Sequence, residues 1–137
     1  MRYLLDTNVL SEGRKLRSDP DHAAWLLQHE AACAVSELTI GEFTKGVHLA
    51  PAAAMRAALL EWVGKVEDDF RNRCLPVTLE ILKRWGRLCG EHEARGRRLP
   101  VMDSLLAATA LVHDLTFVTR NTADFPAEVR TLNPWRR

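Results

Sequence analysis

No apolar run in this sequence approaches the ~20 residues that a membrane span requires. The opening Met1-Arg2-Tyr3-Leu4-Leu5 meets a carboxylate at Asp6 before its apolar stretch is long enough for a signal peptide, so the expectation is a cytoplasmic protein. Cysteine is scarce: Cys33, Cys74 and Cys89 are odd in number, far apart and without a CxxC pair, which argues against a disulfide framework or a zinc site and suits a reducing compartment. The five histidines, His22, His29, His48, His92 and His113, show no metal-ligand spacing, and none neighbours a serine or cysteine nucleophile; surface or structural roles are expected. There is no Gly-rich phosphate cradle, low-complexity tract, long linker or internal repeat. A basic excess is lacking too: 19 Lys and Arg oppose 18 Asp and Glu, a net charge of +1. A nucleic-acid substrate would need local positive charge or metal ions. The local candidates are Arg95-Gly96-Arg97-Arg98 and Trp135-Arg136-Arg137.

What is present suits one globular domain spanning residues 1–137. Apolar residues make up 47% and charged residues 27%, and a chain of this size buries roughly two thirds of its unfolded surface. Tyr3-Leu4-Leu5 reads as a buried strand ending at Asp6. A helix follows from Asp19 to Glu30, with Ala23, Leu26 and Leu27 on one face. Cys33-Ala34-Val35 reads as a second strand, and Ser36 caps a helix over Glu37–Leu49. Pro51 opens another helix, whose apolar face is Leu59, Leu60, Trp62, Val63 and Val66. Leu75-Pro76-Val77 is a third strand, and Thr78 caps a helix running through Leu88 toward Glu93 and terminated by Gly96. Pro100–His113 is a helix, Leu115–Thr119 a buried strand and Val129–Leu132 a short last one. Gly41 and Gly46 are expected to permit close helix packing. Trp25, Trp62, Trp85 and Trp135 have rings able to stack bases, but Trp62 and Trp85 fall in amphipathic helices, where core or dimer contact is expected. Short apolar strands alternating with helices predict an α/β protein whose central parallel sheet is covered on both faces.

In such sheets ligands gather at the carboxyl ends of the strands. Asp6 follows the first strand; Glu42 lies six residues beyond Ser36, which ends the second; Asn121 and Asp124 follow the Leu115–Thr119 strand. Asp103 begins a helix that is apolar almost all round, where a carboxylate is costly unless paired or metal-bound. A helix N-terminus eases that cost but does not explain why Asp6 and Glu42 also stand in apolar surroundings. The four acids Asp6, Glu42, Asp103 and Asp124 form a hard-oxygen set suited to Mg²⁺ or Mn²⁺. Such ions polarise phosphoryl oxygens and acidify water.

Four segments carry a family resemblance: Leu5-Asp6-Thr7-Asn8-Val9-Leu10; Glu37-Leu38-Thr39-Ile40-Gly41-Glu42; Leu99-Pro100-Val101-Met102-Asp103-Ser104-Leu105-Leu106-Ala107-Ala108-Thr109-Ala110; and Val118-Thr119-Arg120-Asn121-Thr122-Ala123-Asp124-Phe125. In order and over essentially the whole chain, they resemble the signature segments of PIN-domain ribonucleases, above all the VapC-type toxins and their FitB-like relatives. The resemblance implies a three-layer α/β/α fold. It implies Asp6 as the first metal ligand, Glu42 as the acid of the second motif, Asp103 as the central ligand and Asp124 as the fourth acid. Some family members place an acid where this chain has Asn121; here Asn121 is expected as a polar helper, with Asn8 and Thr119 beside the ligands or the substrate. The implied activity is a Mg²⁺- or Mn²⁺-dependent endoribonuclease, in which metal-activated water hydrolyses a phosphodiester bond and leaves a 5′-phosphate. The implied substrates are structured RNAs such as tRNA. The implied assembly is a homodimer restrained by a small antitoxin protein.

Two rivals differ in class. A phosphatase or receiver domain would use a nucleophilic Asp, but Asp6-Thr7-Asn8 lacks the second Asp of the common Asp-x-Asp motif, and no well-placed lysine follows the last strand. A catalytically quiet module would act only by binding a DNA-binding partner, and the four intact acids argue against that reading.

Overall fold

The computed structural model describes residues 1–135. Arg136 and Arg137, part of the basic tail singled out above, lie outside the described residues. Five strands, β1 (Tyr3–Leu5), β2 (Cys33–Ser36), β3 (Cys74–Leu75), β4 (Thr116–Val118) and β5 (Thr131–Leu132), form one sheet in the order β3-β2-β1-β4-β5. Every pairing is parallel, with Leu4 opposite both Ala34 and Phe117. Among the described residues there are also six α-helices: α1 (Thr7–Glu12), α2 (Pro20–His29), α3 (Glu37–Leu49), α4 (Ala53–Asp69), α5 (Leu79–Glu93) and α6 (Val101–Val112). No helix among the described residues is long and apolar enough to cross a membrane.

Strand side chains alternate between faces, and both faces are covered. Tyr3, Leu5, Cys33, Val35 and Val118 point into one core, with Val9 and Leu10 of α1, Trp25 of α2 and Val66 of α4. Leu4, Ala34 and Phe117 point into the other, with Leu88 of α5 and Leu106, Ala107 and Ala110 of α6. This is the three-layer α/β/α arrangement that the alternation of strands and helices predicts. The chain lays β1, β2 and β3 in one direction, then returns to place β4 on the other side of β1. The strand order reverses between β1 and β4, and in such sheets ligands bind beyond the carboxyl ends of the strands at that point.

Several boundaries differ from expectation. Thr7–Glu12, where no element is expected from the sequence, forms α1, a short helix capped by Asp6 that buries Val9, Leu10 and Glu12. The third strand is Cys74–Leu75 rather than 75–77, since Pro76 has no N–H to extend a ladder. The helix expected from Pro51 begins at Ala53. In α2 the buried residues are His22 and Trp25, while Ala23 and Leu27 are exposed. His22 is drawn inward because its Nε2 meets the Val9 carbonyl at 2.8 Å. A Cβ added at Gly41 or Gly46 would meet nothing within 4 Å, so neither glycine serves close helix packing. The tryptophans pack within the fold: Trp25 meets Tyr3 edge-on and stacks on His29, Trp62 meets Phe43, Trp135 lies against His22, and Trp85 donates to Ser104 Oγ at 2.8 Å. All three cysteines are free thiols.

Candidate active site

Asp6 ends β1 and starts α1, so the strand delivers its carboxylate to the carboxyl ends of β1 and β4. The carboxylate is 6% exposed and held from both sides. Its Oδ1 accepts the Thr7 backbone N–H at 2.8 Å and the Thr7 hydroxyl at 3.3 Å; its Oδ2 accepts the Thr119 hydroxyl at 2.8 Å and the Asn8 amide at 3.4 Å. Thr119, fully buried just beyond β4, also accepts the Asn121 backbone N–H at 3.1 Å, and Asn8 accepts the Arg120 N–H at 3.3 Å. The ends of β1 and β4 are thereby tied together through the side chains of Asp6, Asn8 and Thr119. Thr7, which the sequence reading passes over, contributes two of the bonds; its place at the first position of a capped helix is the signal that could have found it.

Glu42 is brought to the same place by α3, whose entry is fixed by the Ser36 hydroxyl accepting the Leu38 N–H at 3.0 Å. Its Oε1 is enclosed and has no hydrogen-bond partner. Burial raises the Glu42 carboxyl above the ordinary range, and the charges of Asp6 and Asp103 add to the rise, with Lys45 opposing. Asp103, half-buried in the first turn of α6, is raised by burial and then by Asp6 and Asp124. Asp124 is exposed, in the 3-10 turn Thr122–Asp124.

Asp6 thus acts electrostatically on both Glu42 and Asp103, and Asp124 acts on Asp103. Among the described residues, Glu42, Asp103 and Asp124 make no ion pair and no side-chain hydrogen bond. Asn121 reaches the group only through its backbone N–H. None of the five histidines enters it: His22 bonds a backbone carbonyl, and His92 pairs with Glu128 at 3.0 Å. Arg120 lies over the Trp135 ring at 5.1 Å.

Buried like charges without a counter-ion are unfavourable, and proteins normally neutralise them by protonation, pairing or metal binding. Oxygen donors alone, with an orphaned Glu42 Oε1 among them, suit a hard divalent cation. Among the described residues, no three His, Cys, Asp or Glu already stand close enough together to form a finished ligand cage.

The family model described as "PIN domain" matches residues 3–127. The toxin FitB of Neisseria gonorrhoeae is 32% identical over 136 residues, covering 96% of this chain and 97% of that protein. The VapC ribonuclease Y4jK of Sinorhizobium fredii is 30% identical over 135 residues, covering 96% of both chains. Among solved structures, FitAcB from Neisseria gonorrhoeae superposes with a TM-score of 0.90 at 30% identity, covering 98% of this chain and 99% of that one. The DNA-bound VapBC of Salmonella typhimurium, 17% identical with a TM-score of 0.81 and 98% of both chains covered, shares the fold. In sequence over nearly its whole length, and in the sheet order described above, the chain belongs to the PIN-domain family.

Proposed function

We propose that this chain is a divalent-metal-dependent endoribonuclease and the toxin of a bacterial toxin–antitoxin pair, built as one PIN unit over residues 1–137 and working in the cytoplasm as a homodimer. The observation that carries the catalytic part is the orphaned Glu42 Oε1, enclosed near Asp6 and Asp103, where burial and their charges outweigh the opposing charge of Lys45. Asp6, Glu42, Asp103 and Asp124 would hold Mg²⁺ or Mn²⁺. When bound, that ion supplies the positive charge that draws in a phosphodiester and acidifies water for attack on it. Asp6 is pre-oriented by four hydrogen bonds, so it does not have to be reorganised on binding. Glu42 is suited to accept a proton from the attacking water, because a carboxyl raised above the ordinary range is a stronger base. Asn8, Thr119 and Asn121 keep the β1 and β4 ends in register around the scissile bond.

Two features support the biological reading: relatives named as a toxin and as ribonucleases, and structural neighbours solved as toxin–antitoxin complexes. A small antitoxin would restrain the enzyme, and an arginine carried by it would fit the acidic group, since a guanidinium pairs with two carboxylates at once.

The deciding experiment incubates the purified chain with total RNA, tRNA included, in Mg²⁺, Mn²⁺ or EDTA and maps the cut ends. Cleavage that requires the metal and leaves 5′-phosphates is expected. Undiminished cleavage in EDTA, or 2′,3′-cyclic phosphate ends, would refute the mechanism. No cleavage of any RNA would favour the binding-only module.

A further inference from the structure

The connection between α5 and α6 carries arginines whose guanidiniums have no direct partner among the described residues, although the Arg95 charge acts on Glu128. Most arginines are tied down: Arg71, Arg87 and Arg130 pair with carboxylates, Arg56 and Arg73 with backbone carbonyls, and Arg2, Arg14 and Arg120 lie over aromatic rings. Arg95, Arg97 and Arg98 are exposed, and among the described residues none of their guanidiniums has an ion pair, a hydrogen bond or a ring partner. Their backbone is nonetheless well defined. The N–H groups of Arg95 and Arg97 both donate to the His92 carbonyl, at 3.0 and 2.9 Å, and Gly96 takes φ +78°, a conformation that glycine adopts without strain. The turn therefore presents three arginines from a defined stretch of backbone.

Arg95 and Arg97 line a recess of about 560 Å³, whose other walls are His92, Ala127 and Glu128. Its one carboxylate, Glu128, meets His92 Nε2 at 3.0 Å and also feels the Arg95 charge, which leaves Arg97 as the cation of the recess with no partner among the described residues. Both sides of the recess neighbour the acidic group in sequence. Asp103 lies five residues beyond Arg98, and Glu128 lies four beyond Asp124. Two extended residues and the first turn of α6 bound the separation of the Arg98 and Asp103 backbones at roughly 16 Å. A chain with net charge +1 and an acidic centre needs cations near that centre to hold a polyanion before and during cleavage.

We propose that the Arg95–Arg98 turn and its recess bind the phosphate backbone of the RNA strand that enters the Asp6–Glu42–Asp103–Asp124 centre. The inference rests on the ribonuclease reading for the identity of the polyanion, and its test can fail separately. Binding of a labelled single-stranded RNA oligonucleotide is measured in EDTA, where nothing is cut, from roughly 50 to 200 mM salt. Releasing counterions from two phosphates contributes a slope of about 1.4 in log K against log salt, so an Arg95→Ala/Arg97→Ala double variant should lose that slope and bind roughly 25-fold more weakly at ~0.1 M salt. The Arg95→Lys/Arg97→Lys variant should retain most of the binding, because point charge suffices for phosphate. Both variants should melt like the parent, since both side chains are exposed and unpaired. With Mg²⁺ present, the loss should fall on KM rather than kcat. An alanine variant with the parent's affinity and salt slope overturns the proposal, including if it fails instead to bind an acidic protein partner. A parent that binds RNA through these arginines but never cuts it would uphold the shelf and refute the ribonuclease reading.

Discussion

Replacing Thr119 by Val removes one hydroxyl from a fully buried side chain and keeps its shape. The hydroxyl donates to Asp6 Oδ2 at 2.8 Å and accepts the Asn121 N–H at 3.1 Å. A hydrogen bond to an ionised carboxylate contributes about 1.5–3 kcal/mol. The Asn121 N–H, on an exposed residue, can turn to water, so its loss adds little. The new methyl recovers under ~1 kcal/mol by burial. The net destabilisation is then about 1–2 kcal/mol. With an unfolding entropy near 2.1 cal/mol/K per residue, a chain of this length should melt about 4–7 °C lower. The assay is thermal unfolding followed by circular dichroism in EDTA, so that metal affinity does not enter, paired with RNA cleavage in Mg²⁺. Cleavage should drop steeply, because Asp6 Oδ2 is left with only the 3.4 Å Asn8 contact. Thr119→Ser, which keeps the hydroxyl, should restore most of the cleavage. A Thr119→Val protein that melts within ~1 °C of the parent and cuts RNA at the parent's rate would refute the view that Thr119 positions Asp6.

The acids should behave in the opposite sense. Asp103→Asn and Glu42→Gln should abolish metal-dependent cleavage while the metal-free melting temperature holds or rises, because each removes a buried like charge; a clear fall in metal-free stability would contradict this. Burial, and then neighbouring carboxylates, raise Glu42 above its ordinary 4.5 and Asp103 above 3.8. The folded protein therefore holds these protons more tightly than the unfolded chain, and metal-free stability should fall as pH rises through the two folded pKa values and recover as pH drops toward the ordinary ones. In Glu42→Gln that slope should flatten. His22 runs the other way: burial lowers it below 6.5, so stability should be lost as pH falls below 6.5 toward its folded value, and His22→Gln should lessen the loss in melts taken across that range. In cells, high expression of the chain alone should arrest growth. Co-expression of the adjacent small open reading frame should relieve the arrest, unless the partner's site-filling arginine is mutated; harmless expression of a chain that still cuts RNA in vitro would sink the toxin role and leave the nuclease.

The sequence by itself determined the order of the strands and of every helix but α1, because each of those elements carries its own local signal. Ser36 and Thr78 cap their helices through side-chain oxygens that need only the next turn, and both bonds are present at 3.0 and 3.2 Å. The apolar runs Tyr3–Leu5 and Leu115–Thr119 could only be buried strands, and their carboxyl ends pointed to Asp6 and Asp124. Asp103 stood out because a carboxylate inside an apolar helix calls for a reason. Other features belonged to tertiary structure, since they depend on residues far apart in the chain. The inward turn of α2 follows from the His22 bond to Val9, and no periodicity within the helix contains that partner. Thr119 and Asp6, 113 residues apart, meet only because β4 pairs beside β1 at the reversal of strand order. The raised carboxyls of Glu42 and Asp103 likewise follow from tertiary structure, first because packing buries them and then because it brings other carboxylates near, and neither depends on spacing in the chain.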